Sequence, residues 1–374
     1  MHRLARLTQV IVSEARRTMF TAAVCTEICK PLEFQQKKDH GLSPFDDEVL
    51  LSVKYCGINF ADILVCQGKY QSSIPVPFTP GTEVTGIIQE VGKNVKTLKK
   101  GDKVVSLIMT GGFSTHCIAP EIFTWKLPSS VDLRAGAGLV VNYGTAYLAL
   151  TRKANLQQGE SVLVTAAAGG TGLAAVEIAS KVFKSKSCSG NSTDEDVDTY
   201  SSYILTKSGD MLPVSGPEKG KGQRSKGATD VIDYKQEKLR NRIKDITGGD
   251  GVDVVFDPVG GDMFLDCVKS MAREGRILTI GYASGKIPSI PANLLLLKSG
   301  SAMGLFWGEY RIMNTPVFLK SIEDVLEQTR LGNITPHIGK EFPLNKINEA
   351  FQYVMGRGST GKVVISMDRQ ESNL

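Results

Sequence analysis

No stretch of this 374-residue chain is long and apolar enough to span a bilayer; the run Leu294 to Leu297 is as long an aliphatic block as it contains. Its seven cysteines (25, 29, 56, 66, 117, 188 and 267) are odd in number and scattered. That is no disulfide framework, and it fits a reducing interior better than a secreted scaffold. A strong charge of either sign is also missing: 44 lysines and arginines meet 39 acids, for a net charge of +5. Arg3, Arg6, Arg16 and Arg17 against Glu14 place +3 of that in the first 19 residues, leaving +2 on the remaining 355. In a chain so nearly balanced, charge alone does not indicate a basic nucleic-acid face. What it does have is 41% hydrophobic and 22% charged residues, the profile of a folded globular protein. Its length suits two domains and can bury roughly three-quarters of the unfolded surface, so no metal or disulfide staple is needed.

The opening residues 1–18 are arginine-rich and poor in acid, with Leu4, Leu7 and Ile11 along one helical face. That is the profile of a mitochondrial presequence and points to the matrix, with a ragged cytoplasmic N-terminus as the alternative. From Met19 to Leu127 short alternating strands separated by glycine turns predict an antiparallel, barrel-like domain; Val49, Leu51, Val53 and Tyr55 alternate with Leu50, Ser52 and Lys54. After Asn155 strands alternate with helices. Ser161–Thr165, Val231–Tyr234, Val252–Phe256, Arg276–Ile280 and Ser301–Phe306 are the expected strands; Gly172–Lys181, Lys235–Thr247 and Asp262–Ala272 are the expected helices. The fold class is therefore α/β, a doubly wound parallel sheet beside a β-barrel. We set the barrel domain at 19–145 and 311–374 and the coenzyme domain at 146–310.

The strand Ser161–Thr165 runs straight into Ala166-Ala167-Ala168-Gly169-Gly170-Thr171-Gly172 and a helix. Aligned to G-x-G-x-x-G, Gly169 lets a pyrophosphate approach the backbone, and Gly172 lets the helix pack on the strand. Free N–H groups at the helix start favour the phosphates.

With Cys56-Gly57-Ile58-Asn59-Phe60-Ala61-Asp62, Pro80-Gly81-Thr82-Glu83-Val84-Thr85-Gly86, Gly112-Phe113-Ser114-Thr115-His116, Asn142-Tyr143-Gly144-Thr145-Ala146-Tyr147 and Gly361-Lys362-Val363-Val364 added to that turn, the chain resembles the medium-chain dehydrogenase/reductase superfamily. Within it the likeness is to the zeta-crystallin-like NADPH:quinone oxidoreductases. The resemblance implies a GroES-like catalytic domain, a Rossmann domain and an active site in the cleft between them. It implies Asn59, Asp62 and Tyr70 near the substrate, Asn142 and Thr145 near the nicotinamide, and Ala168, Gly169, Gly170, Thr171 and Gly172 at the pyrophosphate. It further implies Tyr234 on the adenine, and Gly281, Tyr282, Leu305, Phe306 and Trp307 lining the nicotinamide. Bland readings stand beside these: Asn59 as a turn residue, Asp62 as a helix cap, and Phe306 and Trp307 as core.

The zinc branch of that superfamily has a cysteine where Asn59 stands and a histidine where Thr82 stands. Neither replacement is a good zinc ligand, so no metal is expected. Without a Lewis acid the chemistry narrows to acceptors that spread charge by conjugation, a quinone or an α,β-unsaturated carbonyl. No general acid is evident, which leaves solvent to protonate the product. Loops around residues 67–77 set substrate size. Rival readings are a 2-enoyl-CoA reductase and a catalytically silent NADPH- or RNA-binding relative. The superfamily implies a homodimer or homotetramer.

One segment departs from the pattern. Residues 185–225 are rich in Ser, Gly, Lys and Asp where the coenzyme domain needs its second strand, ribose loop and helix. We read them as a disordered or grafted insert, of the kind a splice or gene-model variant carries. Asp194, Glu195 and Asp196 read as solvated charge. Tyr200–Thr206 is the strand-like candidate for the vacant slot, filling it imperfectly or not at all.

Overall fold

The computed structural model describes residues 19–38, 42–183, 201–204, 214–215, 226–228, 230–232, 238–356 and 359–367. The presequence candidate 1–18, Asp194, Glu195 and Asp196, and Tyr234 lie outside the described residues. In chain order the elements begin with β1 (Met19–Val24), β2 (Glu33–Lys38), β3 (Glu48–Gly57), α1 (Phe60–Cys66), β4 (Glu83–Val91), β5 (Lys103–Leu107), β6 (His116–Pro120) and β7 (Thr124–Lys126). The alternating part follows as α2 (Val140–Leu148), β8 (Val162–Val164), α3 (Gly170–Glu177), β9 (Ser201–Ile204), β10 (Val214–Ser215), β11 (Asp230–Val231), α4 (Leu239–Ile246), β12 (Val252–Asp257), α5 (Met263–Ser270) and β13 (Met271–Thr279). Then come α6 (Ala292–Lys298), β14 (Ser301–Gly304), α7 (Thr315–Arg330), β15 (Ile338–Pro343), α8 (Ile347–Met355) and β16 (Lys362–Ser366).

Chain contacts form two units, Met1–Leu127 with Glu341–Met355 and Val364–Leu374, and Pro128–Lys340 with Gly356–Val363. The first is built on a seven-stranded sheet of order β15-β16-β3-β4-β5-β7, with β6 also on β3. Val49, Leu51 and Val53 of β3 are buried as the alternation predicts, but Tyr55 is not; Cys56 is buried instead. The register against β4 shifts between Val53 and Tyr55. An extra residue on one strand flips every side chain beyond it to the other face.

In the second unit β14, β13, β12 and β8 lie in that order, all parallel. β8 is buried throughout and Val254, Val255 and Phe256 are sealed, as strands covered on both faces should be. One layer packs Leu239, Ile243, Phe264 and Val268 from α4 and α5 onto Leu163, Val255 and Ile277 of the sheet. β14 is largely exposed, unlike its neighbours, because it is the edge strand and ends at Gly304.

The strand candidate does form, as β9 alongside β8, but it pairs antiparallel with both β10 and β11 where a doubly wound sheet needs parallel neighbours. The contacts also divide the chain differently from the sequence boundaries. Residues 311–340 and α2 sit in the second unit, because α7 packs on α2. Gly144 makes that possible: a Cβ there would lie 2.6 Å from Ile322 Cδ1 and 2.7 Å from the Trp307 ring.

Candidate functional site

At the carboxyl end of β8 the chain turns through Ala166, held at φ +47°, into α3 with Gly169 as its N-cap. A Cβ on Gly172 would sit 2.4 Å from the Ala166 carbonyl oxygen and 2.6 Å from Ala167 Cα. Only glycine lets α3 press this closely on its own turn. A Cβ on Gly169 would meet nothing nearer than the Ala166 oxygen at 3.3 Å, so the space above it is open. No side chain caps α3, and its first-turn N–H groups carry the helix's positive end. Closely packed glycine, open space and a bare helix start make a cradle suited to a pyrophosphate.

Asn142, buried on α2, closes one side of this turn. Its Oδ1 accepts the Thr171 hydroxyl at 3.2 Å, and a Cβ on Gly170 would fall 2.3 Å from its Nδ2. Asn142 thus braces the glycine turn itself; Thr145, one turn on, is buried beside it on α2. From the other side Gly361 donates its N–H to the Ala168 carbonyl at 2.7 Å. The closing Gly-Lys-Val-Val segment, quoted above only as a family mark, therefore pins the turn.

At the neighbouring strand end Asp257 is buried and accepts three hydrogen bonds: from the Thr165 hydroxyl, Val259 N–H at 3.2 Å and Gly260 N–H at 2.8 Å. Burial drives its carboxyl above the usual range, against these donors. Asp257 ties the end of β8 to the loop after β12, and Ala283 N–H bonds the Pro258 carbonyl at 3.1 Å, fixing Gly281 and Tyr282. Sequence reasoning missed Asp257 and Thr165; a buried acid ending an apolar strand just before Pro-Val-Gly-Gly was the available signal. After β14, Leu305 N–H bonds Thr279 at 3.1 Å. Leu305 and Trp307 are buried, while Phe306 is 49% exposed. The Trp307 ring lies 4.7 Å from that of Phe318, tilted at 42°.

The first unit gathers Asn59, Asp62, Thr82 and Glu83. Asn59 N-caps α1, and its backbone N–H bonds Asp62 Oδ2 at 2.8 Å. Thr82 donates its hydroxyl to Asp62 Oδ1 at 3.1 Å, and Asn59 Nδ2 reaches the fully buried Glu83 at 3.4 Å. Asp62 therefore caps and cross-links, joining the start of α1 to the start of β4. Tyr70 is half-buried in the loop after α1.

A further cluster had no sequence signal. Glu177, with no exposed surface, accepts Lys226 at 2.9 and 3.0 Å, Lys181 at 2.9 Å, the Tyr143 hydroxyl at 2.6 Å and Thr335 N–H at 3.2 Å. Burial pushes the Tyr143 phenol up and the Lys226 ammonium down, with Glu177 opposing the latter. Lys226 lies directly after the anomalous segment, so this buried pair fastens the chain just past that segment to the end of α3.

Residues 45–129 match an alcohol dehydrogenase GroES-like domain, and residues 226–365 match a zinc-binding dehydrogenase model. The chain is 43% identical over 348 residues to quinone oxidoreductase-like protein 2 of Rattus norvegicus, covering 93% of this chain and 92% of that one. It is 30% identical over 325 residues to quinone oxidoreductase of Homo sapiens, covering 86% and 90%. A mycobacterial protein solved in complex with NADPH superposes with a TM-score of 0.77 at 27% identity, over 93% of this chain and 100% of the other.

Proposed function

The chain belongs to the medium-chain dehydrogenase/reductase superfamily, in its quinone oxidoreductase branch, and from that premise we propose that it moves hydride from NADPH to a quinone or α,β-unsaturated carbonyl without zinc. The observation that carries the coenzyme half is the cradle at Gly169: open space over one glycine, a backbone-tight Gly172 and an uncapped α3. Residues 166–172, braced by Asn142 and Gly361, would hold the pyrophosphate. The loops at Gly281–Tyr282 and Leu305–Trp307, at the ends of β13 and β14, would flank the nicotinamide. When bound, NADPH supplies the hydride, and the protein supplies orientation and a dry surface.

The donor chemistry in the first unit argues for the zinc-free half of the proposal. Zinc takes thiolate, imidazole or carboxylate ligands, and Asn59 and Thr82 provide an amide and a hydroxyl beside Glu83 alone. Among the described residues no three His, Cys, Asp or Glu side chains gather where one ion could sit. An amide, a hydroxyl and one carboxylate do not make the ligand set taken by the metal that the dehydrogenase description names. With amide and hydroxyl donors only, the favoured acceptor delocalises the incoming charge. Asn59 and Asp62 would orient it, with Tyr70 beside it.

The test is NADPH consumption by the purified chain with a quinone and with an isolated ketone, before and after exhaustive chelation. Turnover of the quinone alone, unchanged by chelation, supports the proposal. Ketone turnover that chelation abolishes contradicts it.

A further inference from the structure

One buried carboxylate in the second unit is bonded to three stretches of chain that lead to the glycine turn. Glu177 ends α3 and has no exposed surface. Its Oε2 accepts the Tyr143 hydroxyl of α2 at 2.6 Å and the Thr335 N–H at 3.2 Å. Lys226 Nζ bonds both carboxylate oxygens, at 2.9 and 3.0 Å, and donates to the Thr335 carbonyl as well. The Lys226 backbone is held too: its carbonyl accepts the Ser180 hydroxyl at 2.8 Å. Gly227, at φ +99°, passes so close that a Cβ there would lie 2.4 Å from Ser180 Oγ.

Two of these partners lead back to the start of α3. Asn142 precedes Tyr143 on α2, and its Oδ1 accepts the Thr171 hydroxyl at 3.2 Å. Two residues past Thr335, the His337 carbonyl accepts the Lys362 N–H at 2.9 Å, and Gly361 donates to the Ala168 carbonyl at 2.7 Å. Two circuits thus leave the far end of α3 at Glu177 and close on its beginning. One runs through α2, the other through residues 335–337 and 361–362, and all of it lies within the second unit.

We propose that Glu177 is a positioning residue for coenzyme binding: paired with Lys226, it locks α2, α3 and residues 335–337 in one arrangement and so sets Asn142 and Gly361 around residues 166–172. This rests on the reading of that turn as the pyrophosphate site. Glu177 acts through the frame, because the length of α3 puts it about 10 Å from the turn, too far to touch a group bound there. Fold stability alone does not call for an ion pair here, since apolar residues of similar volume serve a buried site as well or better. What the carboxylate adds is direction. Its charge-assisted bonds are short and oriented, and a fully satisfied buried network rigidifies the elements it joins. A turn held rigid before the ligand arrives loses less entropy on binding.

The test uses the full chain in two forms. Glu177→Leu with Lys226→Met removes the bonds without stranding a charge, and Tyr143→Phe removes one bond while leaving the ion pair. Amide hydrogen exchange of the apo chain and NADPH titration are read at a temperature where each form is fully folded. The amides of Gly169, Leu173 and Gly361, each bonded within or onto the turn, should exchange faster, while those of β12 keep the parent's rate. NADPH affinity should fall about fivefold in the double variant, with a smaller loss in Tyr143→Phe. Parent affinity in the folded double variant would overturn the proposal, and so would exchange that rises in β12 as much as at the turn. Faster exchange confined to the turn, in a chain whose parent binds no NADPH, would support the frame and contradict the coenzyme reading.

Discussion

Gly361 donates its backbone N–H to the Ala168 carbonyl at 2.7 Å, and so a residue near the C-terminus holds the glycine turn that opens α3. Gly361 can do this because it sits at φ +64°, with the His337 carbonyl oxygen 2.4 Å from where a Cβ would be. Lys362 N–H bonds that same carbonyl at 2.9 Å, which fixes the segment in line.

Gly361→Ala should therefore distort the turn from a distance. The left-handed conformation and the clash with His337 together cost about 1–3 kcal/mol. Chemical denaturation should show that loss, and titration should show weaker NADPH binding although residue 361 is not proposed to touch the coenzyme. Unchanged coenzyme affinity at reduced stability would detach Gly361 from the cradle.

Gly169 and Gly172 make a paired prediction. Gly169→Ala meets only one protein atom, at 3.3 Å, so the apo chain should melt close to the parent while the upward shift with NADPH shrinks. Gly172→Ala drives a methyl into backbone at 2.4 Å and should lower the apo Tm as well. Equal coenzyme shifts in the parent and in Gly169→Ala would place the pyrophosphate elsewhere.

The parallel sheet and this turn were legible in sequence because each is local: a run of buried apolar residues, then glycines at fixed spacing. Asp257 and Thr165 were not, since their bond joins positions 92 residues apart. Glu177 and Lys226 escaped for the same reason, at a separation of 49. Phe306-Trp307 reads as one aromatic pair, yet the chain leaves β14 so that Trp307 turns inward against Phe318 while Phe306 faces out. The direction of β9 was equally hidden: Ser201–Ile204 carries strand propensity, and propensity has no sense of parallel or antiparallel.

Glu177→Gln should be among the costlier single changes in the second unit. It leaves Lys226 buried without its carboxylate, and breaking such a pair costs about 3–5 kcal/mol. Adding Lys226→Met removes the stranded charge, so the double variant should recover most of the loss. Additive losses in a denaturation cycle would show that the two side chains do not act as a pair.

Arg276 grips Glu160 with two bonds of 2.7 Å. Partial burial raises the Glu160 carboxyl, but the Arg276 hydrogen bonds outweigh it and hold the group below its usual value. A depressed folded value means the stabilisation is present above the unfolded carboxylate range and is lost as pH falls through the folded one. Glu160→Gln should cost about 1–3 kcal/mol at neutral pH and progressively less in acid. A gap between parent and variant that stays constant down to strong acid would contradict this.

The most direct test of the account follows the hydride itself. The full chain is given NADPH deuterated at the transferable position and an α,β-unsaturated ketone, and the product is read by mass and NMR. Conjugate delivery predicts deuterium at the β carbon, with the α hydrogen drawn from solvent. Deuterium on the carbonyl carbon, or no transfer at all, would contradict the proposal that this chain reduces conjugated acceptors without a metal.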